Sequence, residues 1–156
     1  MIEVPQGLPQ WITDHIKLYL EDPEKAHMWD ASLGSGGTTG LLTTLLLISK
    51  GRKSGQDRPL PLIYRKIGDD YVIIASKGGA PAHPSWFLNL EAEPNCVIHV
   101  GPEKYRAKAR VAEGDERAAK WQAMAEIYAP YDDYQVRAGE RQIPVVVLEV
   151  QAALSD

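Results

Sequence analysis

The chain is poor in the residues that hold disulfide-rich or metal-binding proteins together. Its 156 residues include one cysteine, Cys96, which excludes an internal disulfide and leaves no thiolate cluster for zinc. Cys96 lies in the strand-like segment NCVIHV, where we expect it to be a small buried side chain. The four histidines are scattered, with no second ligand at metal-binding spacing: His15, His27, His83 and His99. The sequence therefore predicts no metal site.

A basic excess and long apolar runs are also missing. The formal net charge is −4, whereas nucleic-acid-binding domains carry a basic face. The apolar run at 41–49 has about half of the roughly 20 residues that a membrane span requires. The first residues, MIEVPQGLPQW, lack the basic and apolar segments of a secretory signal. We therefore expect a cytoplasmic protein that does not bind nucleic acid.

Residues 1–40 predict an N-terminal helical arm. Segment 8–20 has apolar side chains at helical spacing, and residues 23–33, PEKAHMWDASL, predict one or two further helical turns. The glycine-rich GSGGTTG at 34–40 is typical of a flexible loop. We expect the apolar stripe of the arm to pack on the body, cover a pocket or contact a second subunit. Acidic residues outnumber lysines in the arm, which disfavours contact with an anionic membrane surface.

Residues 41–156 predict a body of the α+β class that is mainly β with peripheral helices, so that the whole chain forms one domain. Six segments have strand character: 41–49, 59–67, 71–76, 95–101, 105–113 and 142–151. Two helices are expected, at 84–94 and at 114–128, the second of them capped by Asp115. Short strands at hairpin spacing with few inserted helices favour an antiparallel barrel over a βαβ sheet.

The turn GRKSGQDR at 51–58 concentrates positive charge in an acidic chain. Arg52, Lys53 and Ser54 lie between two glycines, and Arg58 follows three residues after the second glycine. Glycines let a backbone approach a ligand, and arginine and lysine bind phosphate or carboxylate oxygens. The segment therefore indicates an anion site, with an exposed hairpin tip as the alternative.

Two further groups of residues have the character of a ligand site. The corner IIASKGG ends a strand with Ser76, Lys77, Gly78 and Gly79, whose amides could face a polar ring or an anion, or could only turn the chain. Tyr128, Tyr131 and Tyr134 are spaced three apart. Phenols on one face can line a flat pocket and donate a proton, or can simply pack beneath a helix end.

Taken together, these groups resemble the deazaflavin-dependent nitroreductase family. The similarity runs from GRKSG–x–x–R–x–x–PL through ASKGGAP–x–HP–x–W–x–x–NL and the tyrosine triplet to R–x–IPVVVLE, roughly residues 42–150 in family order. Members of that family use coenzyme F420 on a split β-barrel that is also found in enzymes binding flavin mononucleotide (FMN). The resemblance implies the same fold and coenzyme here.

The resemblance also implies roles for individual residues. Arg52, Lys53 and Arg58 would bind the phosphate and the γ-glutamyl tail of the coenzyme, which are oxyanions, and the serine and glycine corner would contact the ring. The implied coenzyme-binding set is Arg52, Lys53, Ser54, Arg58, Pro61, Ser76, Lys77, Gly78, Gly79, Trp86 and Asn89. Tyr131 would be the proton donor of the catalytic set, with Tyr128 and Tyr134 as alternatives. Lys50 could add a fourth cation, and Ile63 stands where some relatives have an aromatic pocket residue.

The implied activity is a reductase that transfers hydride from reduced F420 to a quinone, an enone or lactone, or a nitro compound. The first alternative is an FMN oxidoreductase on the same barrel, whose ligand would need fewer cations. The second is a non-catalytic barrel that binds a lipid or another hydrophobic ligand, which would not need the cations at all. Whether the chain is a monomer or a homodimer stays open at this point.

Overall fold

A computed structural model describes residues 2, 4–5, 7–30 and 41–155. The strands are β1 Met28–Asp30, β2 Leu41–Lys50, β3 Asp57–Ile63, β4 Arg65–Ile67, β5 Asp70–Ile74, β6 Asn95–Val100, β7 Glu103–Val111 and β8 Val145–Leu154. The helices are α1 Gln10–Glu21, α2 Pro23–His27, α3 Ser85–Ala92, α4 Gly114–Ile127 and α5 Pro130–Ala138, with a 3₁₀ turn at Lys77–Gly79. The predicted glycine-rich loop at 34–40 lies outside the described residues.

The sheet is antiparallel and curls into a split barrel. Its hydrogen-bonded order is β1-β2-β6-β7-β8-β5-β4, and β3 also pairs with β2. Strand β4 stands at the last position of this order, and only Tyr64 separates it from β3. The last strand of the order therefore comes close to β2, near its beginning. The predicted fold class is therefore confirmed.

Two strand predictions needed correction. The expected single strand at 59–67 is interrupted at Tyr64, which is buried and donates its backbone N–H to the Thr43 carbonyl at 3.2 Å. On the two sides of this break, β3 pairs with β2 and β4 pairs with β5, so the chain changes its partner strand there. The arm also contributes a strand: its expected second helix ends at His27, and β1 then pairs with the first residues of β2.

Strand β2 is buried on both faces, which explains its continuous apolar run. Side chains of a strand alternate between faces. Leu45 and Leu47 enter the barrel core, whereas Leu46 and Ile48 pack under helix α1. The arm is thereby fastened to the barrel by apolar burial, as its predicted stripe requires.

Tyr19 adds polar anchoring to the same contact. Its side chain is 1% exposed, and its hydroxyl donates to the Thr44 carbonyl and accepts from the Gly101 N–H at 3.0 Å. Helix α1 is thus hydrogen-bonded to β2 and to the turn between β6 and β7. Within the described ranges, no helix combines the length and the apolar character needed to cross a membrane.

The C-terminal helices differ from the predictions in two details. Helix α4 begins at Gly114 after Glu113 and has no side-chain cap, so Asp115 lies in its first turn rather than at the cap position. There its carboxylate still interacts favourably with the positive, N-terminal end of the helix dipole. The tyrosine triplet is also divided: Tyr128 follows the last residue of α4, whereas Tyr131 and Tyr134 lie on the separate helix α5.

Candidate active site

The turn between β2 and β3 is closed by its own hydrogen bonds. The Gly51 N–H donates to the Gln56 carbonyl at 2.8 Å, and the Gly55 N–H donates to the Gly51 carbonyl at 2.7 Å. The Ser54 hydroxyl oxygen accepts from the Gln56 N–H and from Arg58 Nη2, both at 3.2 Å. This turn holds Arg58 against Ser54 and presents both side chains on one side.

Gly51 is needed for a reason that the sequence did not reveal. A Cβ atom at this buried position would lie 2.8 Å from Ser54 Oγ and 3.2 Å from Arg58 Nε. The absence of a side chain at Gly51 therefore leaves room for Ser54 and Arg58. All three residues line the same cavity, which is described below.

Helix α3 positions Arg52. The buried Asn89 accepts two hydrogen bonds at Oδ1, from the Arg52 backbone N–H at 3.1 Å and from Arg52 Nη1 at 2.9 Å, while the Ser85 carbonyl accepts from Nη1 at 3.4 Å. Ser85 begins the helix, where the first N–H groups lack partners within the helix and carry a partial positive charge. Ser85 was missed in the sequence because nothing in its neighbourhood marks it as part of the cation group.

These elements enclose a cavity of about 350 Å³, which we call the cation cavity. Its lining residues are Pro5, Leu8, Gly51, Arg52, Lys53, Ser54, Arg58, Pro59, Leu60, Ser85, Trp86 and Asn89. Arg52 and Arg58 bond only to neutral oxygens, and Lys53 forms no ion pair within the part of the chain that the structure describes. The cation cavity thus holds uncompensated positive charge, which fits a ligand with several oxyanions.

Lys50 does not belong to this cavity. Its Nζ is 2.5 Å from Asp57 Oδ1 across the β2–β3 ladder, and it does not line the cation cavity. The expected fourth cation is therefore neutralised by its partner on the neighbouring strand.

A second cavity, of about 180 Å³, contains the tyrosine triplet, and we call it the aromatic cavity. Its lining residues are Trp11, His15, Trp29, Thr44, Pro61, Leu62, Ile63, Ile74, Ser76, Tyr128, Tyr131 and Tyr134. The ring centroids of Tyr128 and Tyr131 are 4.8 Å apart, and those of Tyr131 and Tyr134 are 6.3 Å apart. The three tyrosines therefore meet in space although only Tyr131 and Tyr134 lie on the same helix.

The hydroxyls of the triplet are not equivalent. Those of Tyr128 and Tyr134 are hydrogen-bonded to each other at 3.0 Å, whereas the Tyr131 hydroxyl has no hydrogen-bond partner among the described residues. Burial raises the pKa of Tyr131 well above its ordinary value and raises the pKa of Tyr134 to about 12. Both phenols are thus protonated at neutral pH, and Tyr131 has a proton that no neighbour accepts.

The N-terminal arm forms a further part of the aromatic cavity. The indoles of Trp11 and Trp29 stack with centroids 5.5 Å apart, and the His15 ring stacks on Trp29 at 6.1 Å. His15 Nε2 lies 2.9 Å from the Ala26 carbonyl, and burial lowers the pKa of His15, so the ring is neutral and its N–H donates to that carbonyl. We had not singled out these residues, although the spacing of Trp11 and His15 on one helical face was visible in the sequence.

The predicted corner at 76–79 is only partly in the cavities. Ser76 lines the aromatic cavity, whereas Lys77, Gly78 and Gly79 line neither cavity. A Cβ at Gly79 would lie 2.7 Å from the Tyr134 carbonyl oxygen and 2.8 Å from Arg137 Cβ. Gly79 therefore permits close packing of the corner on helix α5.

Strand β3 connects the two cavities. Pro59 and Leu60 line the cation cavity, and the next three residues, 61–63, line the aromatic cavity. The structure thus brings the predicted residues into two neighbouring groups. The cation cavity contains Arg52, Lys53, Ser54, Arg58, Trp86 and Asn89, and the aromatic cavity contains Pro61, Ser76 and the three tyrosines.

Comparison with known proteins identifies close relatives. The F420H(2)-dependent quinone reductase Rv1261c of Mycobacterium tuberculosis is 42% identical over 112 residues, which cover 70% of this chain and 74% of the relative. The solved structure of an F420-H2 dependent reductase, FDR-A, shares 38% identity over 68% of this chain and 93% of its own, with a TM-score of 0.63. Another solved chain, described as a domain-swapped dimer, shares 31% identity over 90% of this chain and 98% of its own, with a TM-score of 0.66.

The model of the F420H(2)-dependent quinone reductase family matches residues 22–150. This range contains both cavities except for residues of the N-terminal segment, among them Trp11 and His15. The match also decides between the coenzymes that the residues alone left open, because the family and the relatives are named for F420H2. The chain therefore belongs to the F420H(2)-dependent quinone reductase family and is a reductase that depends on the deazaflavin coenzyme F420.

Proposed function

We propose that this reductase acts on a flat conjugated acceptor, of which a quinone is the first candidate and an enone, lactone or nitro compound the next. The observation that carries the proposal is the continuity of the two cavities along β3. One is lined by uncompensated cations and the other by aromatic rings and protonated phenols. An elongated anionic coenzyme requires the cations of the first cavity. A planar acceptor requires the aromatic walls and the proton donors of the second.

The coenzyme phosphate and γ-glutamyl tail would be bound by Arg52, Lys53 and Arg58. Asn89 would act through Arg52, which it already orients with two hydrogen bonds, and Ser54 through Arg58. When bound, the reduced coenzyme supplies the hydride of the reaction. Trp86, Pro61 and Ser76 line the cavities along which the coenzyme would lie. Lys77, Gly78 and Gly79 would contact the coenzyme ring as parts of the same corner as Ser76.

The acceptor would lie in the aromatic cavity, where Tyr131 donates the proton. Its hydroxyl lacks a competing partner, whereas Tyr128 and Tyr134 already bond to each other and would shape the wall by ring contacts. The indoles of Trp11 and Trp29 would restrict water in the same space. Exclusion of water strengthens electrostatic and hydrogen-bond interactions with the reacting groups.

The assembly and location of the enzyme belong to the same proposal. The relative described as a domain-swapped dimer favours a homodimer over a monomer for this chain. A single cysteine and the absence of any possible internal disulfide support a cytoplasmic location. We further propose that residues 1–40 act as an arm of one domain, since α1 packs on the barrel and its residues line a cavity.

The coenzyme can be tested by fluorescence titration of the purified chain. We expect F420 to bind more tightly than FMN, because the tail carboxylates form ion pairs that FMN cannot form. Turnover with reduced F420 and a naphthoquinone, an enone and a nitroaromatic would then rank the acceptors. Equal or reversed affinity for the two coenzymes would contradict this assignment of the cation cavity.

The role of the cations can be tested with a matched pair of lysine variants. Lys53→Ala should weaken F420 binding by about 1–3 kcal/mol, the range for a lost charge-assisted hydrogen bond, with a smaller loss at high salt. Lys50→Ala is the control, since Lys50 is paired with Asp57 outside the cavity. An unchanged dissociation constant for Lys53→Ala, or equal losses for both variants, would reduce the turn to a charged hairpin tip.

The proton donor can be tested with the three phenylalanine variants. Tyr131→Phe should lower kcat for an enone by about ten- to a thousand-fold, near the usual contribution of a positioned general acid. Tyr128→Phe and Tyr134→Phe should mainly alter KM, and F420 affinity should hardly change in any of the three. Retention of most of the kcat by Tyr131→Phe would contradict its role as donor, and retention by all three variants would indicate that water supplies the proton.

The contribution of the arm to acceptor binding can be tested at Trp11. Trp11→Ala should raise the KM for the acceptor about two- to tenfold, the equivalent of a lost aromatic contact, without changing the dissociation constant of F420. Leu20→Ala is the control, because Leu20 is exposed on the same helix and lines neither cavity. The same KM for Trp11→Ala and wild type would leave α1 with a purely structural role.

A further inference from the structure

Arg141 lies in the chain between helix α5 and strand β8, and its side chain contacts the corner at 76–79 and the residues beside it. Its guanidinium donates to three backbone carbonyls, those of Ala80 at 2.8 Å, Ala75 at 3.1 Å and Ser76 at 2.7 Å. Nη1 also lies 2.9 Å from His83 Nδ1. The Ala75 and Ala80 carbonyls flank the corner at 76–79, and the Ser76 carbonyl belongs to it. The guanidinium therefore spans the corner.

None of these partners carries a charge. Among the described residues, Arg141 has no carboxylate partner, so its contacts serve to orient the backbone rather than to neutralise an acid. A planar fork of five N–H donors suits this task, because it can bond several acceptors in fixed directions.

The corner needs such support from outside. Lys77 has a φ of +46°, in the left-handed region that a non-glycine residue adopts rarely, and Gly78 and Gly79 follow with φ of +62° and +82°. Strained backbone of this kind persists only when the surrounding structure determines it. The Arg141 bonds before and after Lys77 provide that constraint.

Arg141 is also tied to the tyrosine helix. Gln135 on α5 donates from Nε2 to the Arg141 carbonyl at 2.8 Å, and its Oε1 accepts from the Ile143 N–H at 2.9 Å. Close packing of Gly79 on the Tyr134 backbone joins the corner to the same helix a second time. A shift of Arg141 would therefore move Ser76 relative to the tyrosines.

We propose that Arg141 is a positioning residue for the reductase: it holds the Ser76 corner at a set distance from the Tyr131 and Tyr134 rings across the aromatic cavity. The inference rests on the proposed function, because the position of Ser76 matters only if the reaction takes place in that cavity. Misplacement of a reacting group by about 1 Å can lower a rate about a hundredfold. The consequence should therefore appear in kcat.

The test compares Arg141→Lys, which keeps the charge but loses the fork, with Arg106→Lys, an exposed arginine on β7 that lines neither cavity. In the coenzyme-free chain, Arg141→Lys should speed hydrogen exchange of the Gly79 and Ala80 amides, which bond to the Ser76 and Lys77 carbonyls. With coenzyme, its kcat per F420-binding site should fall about ten- to a hundredfold, while the dissociation constant of F420 stays within about threefold. Arg106→Lys should match wild type.

Several results would overturn the proposal. One is unchanged amide exchange at the corner, and another is a lower melting temperature with an unchanged kcat per binding site. Gln135→Ala provides a second variant should Arg141→Lys fold poorly, and it should change exchange and kcat in the same direction by a smaller factor. An unaltered kcat in that case would contradict the inference. Failure of the proposed function would look different, since wild type itself would then reduce none of the quinone, enone and nitro acceptors with reduced F420.

Discussion

The ladder between β2 and β3 is the constraint on which both halves of the site depend. Its register runs from Lys50 paired with Asp57 at one end to Thr44 paired with Ile63 at the other. The first end carries the cation cavity, and the second end borders the aromatic cavity. A slip of one residue would turn every side chain of β3 to the opposite face and dismantle both cavities. The hydrogen bond from the Tyr64 N–H to the Thr43 carbonyl, just past the last pair, holds the register at that end.

The two cavities keep opposite electrostatic conditions close together. In the cation cavity, charges face solvent or neutral oxygens, so a polyanionic coenzyme can compensate them. In the aromatic cavity, burial keeps the phenols of Tyr131 and Tyr134 protonated and supplies proton donors without a formal charge. On the proposed assignment, different groups therefore bind the anionic part of the coenzyme and donate the proton.

Much of the fold and of the site was readable in the sequence. The turn GRKSGQDR, a helix over residues 8–20 and the tyrosine triplet were recognised from local spacing. The structure has the helix at Gln10–Glu21, and residues of all three segments line the two cavities. The failures share a physical cause. Tyr64 interrupts a strand because its segment changes partner, and Lys50 is neutralised by Asp57 across a ladder. Each depends on residues that come together only in the folded chain.

The sequence by itself determined the elements, the cation turn and the family, because these depend on local periodicity and on short motifs. Only the tertiary structure decided which residues of these elements contact one another in the site. It placed Trp11 and Trp29 of the arm beside the tyrosines, set Asn89 under Arg52 and laid Arg141 across the Ser76 corner. These contacts join residues far apart in the chain. They are chosen by burial of apolar surface and by hydrogen-bond satisfaction over the whole barrel, which no local pattern records.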